Sequence, residues 1–290
     1  MLNTRSGTVY TKTARFDSEG RALNEDEMRR LAPSIFATDK HHSRSERFAP
    51  IPTIEVLRQL TKEGFSPVGV LESNARDHEK QSHTKHLIRL RRLDEEKQYR
   101  VGDSVVELLL KNANDGSAGY SLMGGLFRIC CLNSLVAHTD TIEDVRIRHT
   151  GDVTAKVIEG SYTVLSKVER VMAAPQDWPK VMLDKPTREA FAEAAHVIRF
   201  PRDEEGNVST PIKPEQFLMP RRVEDGGSDL WTTFNVIQEN VLRGGMEGTY
   251  RRDNGRQGRR TMRTVNGIDQ RINLNRALWG MGEHLFEVAA

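Results

Sequence analysis

Nine arginines stand against three acidic residues between positions 243 and 276, interleaved with glycine in the run RGGMEGTYRRDNGRQGRRTMRTVNGIDQRINLNR. The whole chain of 290 residues carries a formal charge of only +2, so positive charge is gathered here rather than spread. Guanidinium groups bond phosphate in bidentate fashion, and glycines let a backbone come close. The chemistry that follows is grip on a polyanion. Arg251, Arg252, Arg256, Arg259, Arg260 and Arg263 are the expected contacts to a sugar-phosphate backbone, with Tyr250 stacking on a base. Such contacts position a protein without reading sequence. The alternatives are a solvated hairpin, or a subunit contact in which the loop meets an acidic surface such as residues 203–205. The second arm of the hairpin is expected over residues 261–265, returning to Gly267.

Three smaller constellations could add to that grip. The segment HTKHLIRLRRL alternates, with His86, Ile88 and Leu90 on one side and Leu87, Arg89 and Arg91 on the other. It reads as a half-buried strand whose flank, with Lys85, is basic. Its bland reading is a solvated strand edge protected by charge. In KNANDGSAGYSLMGG a glycine turn is expected to lead into a helix, where Lys111 and Arg128 would help hold an anion at the helix start. An ordinary strand–turn–helix junction explains the same residues. In RIRHT, Arg146 and Arg148 share a strand face that could line a groove, or could pair with Glu143 and Asp144 across the sheet.

Chemistry beyond binding finds little support. The spacing of His78, His83 and His86 superficially suggests a metal, but on a strand His83 and His86 face opposite sides. There is no GxSxG elbow, no HExxH and no carboxylate set of diagnostic spacing. The sequence therefore assigns no catalytic residue, no cofactor and no metal, and leaves an enzyme as the weakest of the readings. Cys130 and Cys131 are adjacent in an apolar stretch and read as reduced, inert thiols. No apolar run approaches the roughly 20 residues of a membrane span. The N-terminus lacks the apolar core of a secretion signal, so the expected location is the cytoplasm.

The elements that must position these residues give an α+β chain. A central, largely antiparallel sheet is expected to be covered by helices on one face, and a helical C-terminal third carries the Arg/Gly-rich hairpin. Residues 1–50 read as a polar, poorly anchored arm with one short helix before Pro33, and 51–290 as a single domain with a sub-boundary near 175–186. Thr53 is expected to cap a helix ending at Gly64. Residues 118–132, apolar at nearly helical spacing, read as a helix that turns at Asn133 into a short strand over 135–139. A helix over 154–175 is expected to be ended by Pro175 and Pro179. Trp231, Phe234, Ile237 and Val241 line one face of a helix ended by Gly244 and Gly245, and Leu274, Leu278, Met281 and Leu285 line another.

Three stretches carry a resemblance. LLLKNANDGSAGYSLMGGLFRICCLNSLV at 108–136, IRHTG at 147–151, and DLWTTFNVIQENVLRGG with GRRTMRTVNGIDQRINLNRALW between 229 and 279 resemble the phage- and plasmid-like proteins grouped as domain of unknown function 932. The resemblance spans roughly residues 50–285. It implies a setting, a mobile element whose accessory genes handle DNA, and no reaction. The architecture is also similar, more distantly, to phage single-strand annealing proteins, which implies a basic groove, rings or filaments, and single-stranded DNA as partner. The expected function is thus sequence-nonspecific nucleic-acid binding, with single-stranded DNA favoured, by a homo-oligomer acting in annealing or recombination. The competing expectation is an interaction or self-assembling protein. There the arginine loop docks on acidic protein surface, and exposed apolar stripes at 229–242 and 272–286 drive assembly.

Overall fold

The computed structural model describes residues 11–13, 22–48, 50–75, 77–92, 104–128, 145–147, 153–167, 169–208, 210–252 and 254–289. Two compact units result. The first comprises 1–132, 140–169 and 266–269, and the second 133–139, 170–265 and 270–290. The division at 169–170 falls just ahead of the expected sub-boundary. The chain is α+β, and among the described residues no helix is long and apolar enough to cross a membrane.

The first unit is built on a six-stranded sheet whose order follows the chain: β1 (Thr11–Thr13), β2 (Phe65–Ser73), β3 (His86–Arg92), β4 (Ser104–Asn112), β5 (Tyr120–Arg128) and β6 (Val145–Ile147), each neighbour antiparallel. Around it lie α1 (Glu25–Leu31), α2 (Thr53–Lys62) and α3 (Val153–Lys167). Cross-strand register sorts the side chains. One face carries His86, Ile88 and Leu90 of β3 beside Asn112, Leu110 and Leu108 of β4, and there Thr53 at the start of α2 meets His86. The opposite face carries Leu87, Arg89 and Arg91 beside Lys111, Leu109 and Glu107.

Three expectations change here. Residues 120–128 form a strand, not a helix: Leu122, Met123 and Leu126 are buried on alternating sides, and a strand covered on both faces reads as a continuous apolar run. The remainder of the expected helix, with the two cysteines, lies outside the described residues. The chain from residue 22 is no loose arm. Asn24 closes a capping box on Glu27, and Met28, Ala32 and Ile35 enter the core. Thr53 does not cap α2; its hydroxyl accepts from Asn112 Nδ2 at 3.0 Å and meets His86 Nε2 at 2.9 Å.

His86 is completely buried, and its other ring nitrogen lies 3.0 Å from Ser34 Oγ. A neutral imidazole donates to one of these hydroxyls and accepts from the other. Burial lowers its pKa from 6.5 to about 4. The unfolded chain thus binds a proton that the native ring refuses between pH 6.5 and 4. Native stability is full above the unfolded value and falls as pH drops through the folded one, by about 2 kcal/mol on reaching pH 5. His41, lowered by burial and then by His42 and His83, acts in the same direction. Urea midpoints taken at pH 7, 6 and 5 check this; a flat series contradicts it.

The second unit is mostly helical: α4 (Glu169–Asp177), α5 (Lys185–Arg199), α6 (Leu230–Arg243) and most of α7 (Ile268–Ala289). Pro175 lies inside α4, which ends at Asp177, ahead of Pro179, the second proline expected to end it. Trp178 stacks on Trp279 at 4.7 Å between centroids and meets Phe234 edge-on at 5.4 Å. Gly282 allows that stack, since a Cβ there would lie 2.7 Å from the Trp178 ring. Every side chain from Thr233 to Leu242 is buried, and Ile272, Leu274 and Leu278 of α7 are buried too. The apolar stripes expected to be free for assembly are therefore largely used inside this unit.

Gly244 ends α6 with φ 68° and ψ −148°, a conformation open essentially to glycine. A Cβ there would lie 2.7 Å from the carbonyl carbon of Arg263 and from the Met262 carbonyl oxygen. Gly244→Ala is expected to cost about 1–3 kcal/mol, read as a lowered urea midpoint; an unchanged midpoint contradicts the strain argument.

Candidate nucleic-acid interface

Beyond Gly244 the chain forms a two-stranded hairpin, β7 (Glu247–Arg251) and β8 (Gln257–Thr261), with Thr249 opposite Arg259 and Tyr250 opposite Gly258. The second arm is therefore Gln257–Thr261, four residues earlier than the sequence reading placed it. The tip closes through Arg252 N–H to the Arg256 carbonyl at 2.9 Å, with Gly255 at φ 76° supplying the left-handed residue such a loop needs. The ladder continues inward through Met262 N–H to the Met246 carbonyl at 2.7 Å. Met262 is buried, which anchors the base of the hairpin.

Alternation divides the hairpin into two faces. Thr249, Arg251, Gln257 and Arg259 share one. Gly248, Tyr250, Gly258 and Arg260 share the other. Gly248 sits against the Pro211 carbonyl with no room for a side chain. At Gly258 a Cβ would lie 2.7 Å from the Tyr250 ring and 3.1 Å from Arg252 Nε, so the ring lies over bare backbone with a guanidinium beside it. Tyr250 remains 43% exposed.

All six expected arginines are exposed: Arg251, Arg252, Arg256, Arg259, Arg260 and Arg263. Arg259 reaches Glu247 at 3.3 Å, an exposed pair worth little. Among the described residues no carboxylate lies within ion-pair distance of Arg251, Arg252, Arg256 or Arg263. The Arg263 carbonyl accepts from Arg199 Nη2 at 3.0 Å, which fixes the strand's exit.

The other expected basic residues belong to the first unit, on the second face of its sheet. The structure brings Lys85, Arg89, Arg91 and Lys111 to that face but covers them. Arg89 and Arg91 are 8% and 2% exposed, and both bind the Glu107 carboxylate. Arg89 Nε lies 2.6 Å from Oε2 and Arg91 Nε 3.1 Å from Oε1, with the second nitrogen of Arg91 closer still. Gly69, opposite Arg89, leaves space for its stem. The strand is thus not half-buried with a basic flank, and these two arginines do not face solvent phosphate. Their partner was missed in the sequence, although a lone acid inside the apolar run SVVELLL signals a buried counter-charge.

Lys85 and Lys111 both bind the Asp269 carboxylate, Lys111 at 3.1 Å and Lys85 closer. The helix start expected to hold an anion beside Lys111 and Arg128 is absent, because residues 113–119 turn from one strand to the next. Asn112 and Asn114 instead staple the preceding segment, donating to the Ile51 and Ala37 carbonyls at 3.2 and 3.3 Å. Arg128 and Arg146 are placed by register alone, opposite Ser104 and Ser121. Arg148 lies outside the described residues. His83 Nε2 pairs with Asp39 at 3.0 Å, and among the described residues no cluster of His, Cys, Asp or Glu is placed to hold a metal ion.

Residues 40–279 match the family described as "Domain of unknown function (DUF932)". Two similar proteins from Escherichia coli (strain K12), the UPF0380 proteins YfjQ and YafZ, are each 43% identical over 265 residues, covering 91% of this chain and 92% of theirs. No solved structure matches.

Proposed function

We propose that this chain, which belongs to the DUF932 family, binds the sugar-phosphate backbone of nucleic acid through its arginine hairpin, without reading sequence. One observation carries the reading. Arg251, Arg252 and Arg256 crowd an exposed hairpin tip with no described carboxylate in reach, beside an exposed tyrosine ring laid on glycine. Exposed guanidinium groups bond an arriving phosphate backbone directly and release its counter-ions. The Tyr250 ring presents a face on which an unpaired base can stack, worth about 1–3 kcal/mol, which favours single-stranded DNA. Cooperativity along the strand is the norm for such binders, so several copies on one strand are the expected form. The resemblance to phage- and plasmid-like proteins supports a cytoplasmic role on a mobile element, in annealing or recombination.

The test is fluorescence anisotropy of labelled single- and double-stranded oligonucleotides across a salt series. Binding that falls steeply with salt and prefers the single strand is expected. No binding at about 50 mM salt, where backbone contacts are strongest, overturns the reading.

A further inference from the structure

Lys85 and Lys111 are the two cations of the sheet face that a single carboxylate holds. Asp269 offers two oxygens, and each is taken by one lysine: Oδ2 by Lys85 and Oδ1, at 3.1 Å, by Lys111. The match is incomplete in charge, since two ammonium groups meet one carboxylate. It is incomplete in hydrogen bonding as well. Ser121, opposite Lys111 in the register, is 6% exposed, and its hydroxyl has no partner among the described residues. A buried hydroxyl left unbonded costs about 1–3 kcal/mol. The lysines keep only 15% and 19% of their side-chain surface, while Asp269 keeps 48%, so the carboxylate is the part of this cluster that opens to solvent. Burial pushes the Asp269 pKa up, but the two lysines outweigh it and hold the carboxyl below its ordinary range. It is therefore a fixed anion at any ordinary pH.

We propose that Lys85, Lys111 and Ser121 form a second phosphate-binding site, which the Asp269 carboxylate occupies as an internal stand-in for phosphate. A terminal phosphate or pyrophosphate, or two neighbouring phosphodiesters together, carries three or more anionic oxygens and two charges, where the carboxylate carries two oxygens and one charge. It can take both ammonium groups and the serine hydroxyl together, and a second negative charge completes the neutralisation. Occupation by Asp269 keeps the site closed to weak or isolated anions. A polyanion presents many phosphates at once and so competes at high effective concentration. The carrier of the phosphate as nucleic acid rests on the function proposed above; the phosphate site itself does not.

The experiment uses the full chain with Asp269→Asn, an isosteric change at a half-exposed position, and inorganic pyrophosphate as probe in isothermal titration. The variant is expected to bind pyrophosphate at least tenfold more tightly than the wild type. Adding Lys85→Ala and Lys111→Ala removes that gain. On a labelled oligonucleotide, D269N is expected to steepen the slope of log K against log salt by about one to two contacts' worth. A folded D269N that binds pyrophosphate no better than the wild type overturns the proposal, and so does a gain that survives loss of both lysines. Should the amide variant not fold, Asp269→Ser is judged by the same two criteria. A pyrophosphate gain without any oligonucleotide binding keeps the phosphate site and overturns nucleic acid as its carrier. Oligonucleotide binding without the pyrophosphate gain does the reverse.

Discussion

Changing Arg251, Arg252 and Arg256 together to alanine is expected to weaken binding of a single-stranded oligonucleotide about 500-fold at about 50 mM salt and about 30-fold at about 200 mM. The figures follow from counter-ion release. Each phosphate contact on a single strand contributes roughly 0.7 to the slope of log K against log salt, so three lost contacts flatten it by about 2, and the loss fades toward 1 M. These three arginines are chosen because they are exposed and meet no carboxylate among the described residues. Arg259 is partly occupied by Glu247, and Arg260 holds a further contact within the protein. The ladder of β7 and β8 is main chain, so the unfolding midpoint should not move. Anisotropy over the salt series checks the prediction. A drop in affinity with an unchanged slope would show that the arginines act by something other than phosphate contact.

The hairpin was legible in the sequence because its signal is local: arginine and glycine within a dozen residues, between two amphipathic helices. Only its second arm was misplaced, and the reason is Gly258. A glycine inside a strand reads as a turn, yet here it makes room for Tyr250 across the ladder. The sheet was harder. β3 was found from alternation, but β5 was lost because a strand covered on both faces has no alternation to show. The short helix before Pro33 was read from the sequence, but its anchoring was missed for a different reason. Its anchors are few, Met28, Ala32 and Ile35, and its polar Ser34 is held by Glu72 from another strand, Ser34 N–H to Oε1 at 2.8 Å. No local pattern encodes such a partner.

The same limit explains the largest disagreement, at Arg89 and Arg91. Alternating arginines in a strand are most simply read as a solvent face, and the reading fails when an acid on the adjacent strand lets both guanidinium groups be buried. Glu107 is 1% exposed and sits between them. Whether the cluster is structural or functional therefore turns on what its loss does. Glu107→Gln is expected to cost about 3–5 kcal/mol, because it leaves two covered guanidinium groups without the carboxylate that offsets their desolvation. The urea midpoint should fall with little change in denaturant slope.

Replacing all three groups by apolar residues of similar size, Arg89→Met, Arg91→Met and Glu107→Leu, separates the two roles. Removing these three charges at once also removes the desolvation cost of burying them, so stability is expected to return to within about 1 kcal/mol of the wild type or to exceed it. In that variant the oligonucleotide salt slope should match the wild type, since side chains 8% and 2% exposed make no counter-ion-releasing contact. A slope flattened by roughly one unit or more would mean that the sheet opens on binding and that these arginines reach phosphate after all. Stability and salt slope thus answer different questions at one site. A stability loss confined to Glu107→Gln, with the slope untouched throughout, leaves the hairpin as the surface that meets the polyanion.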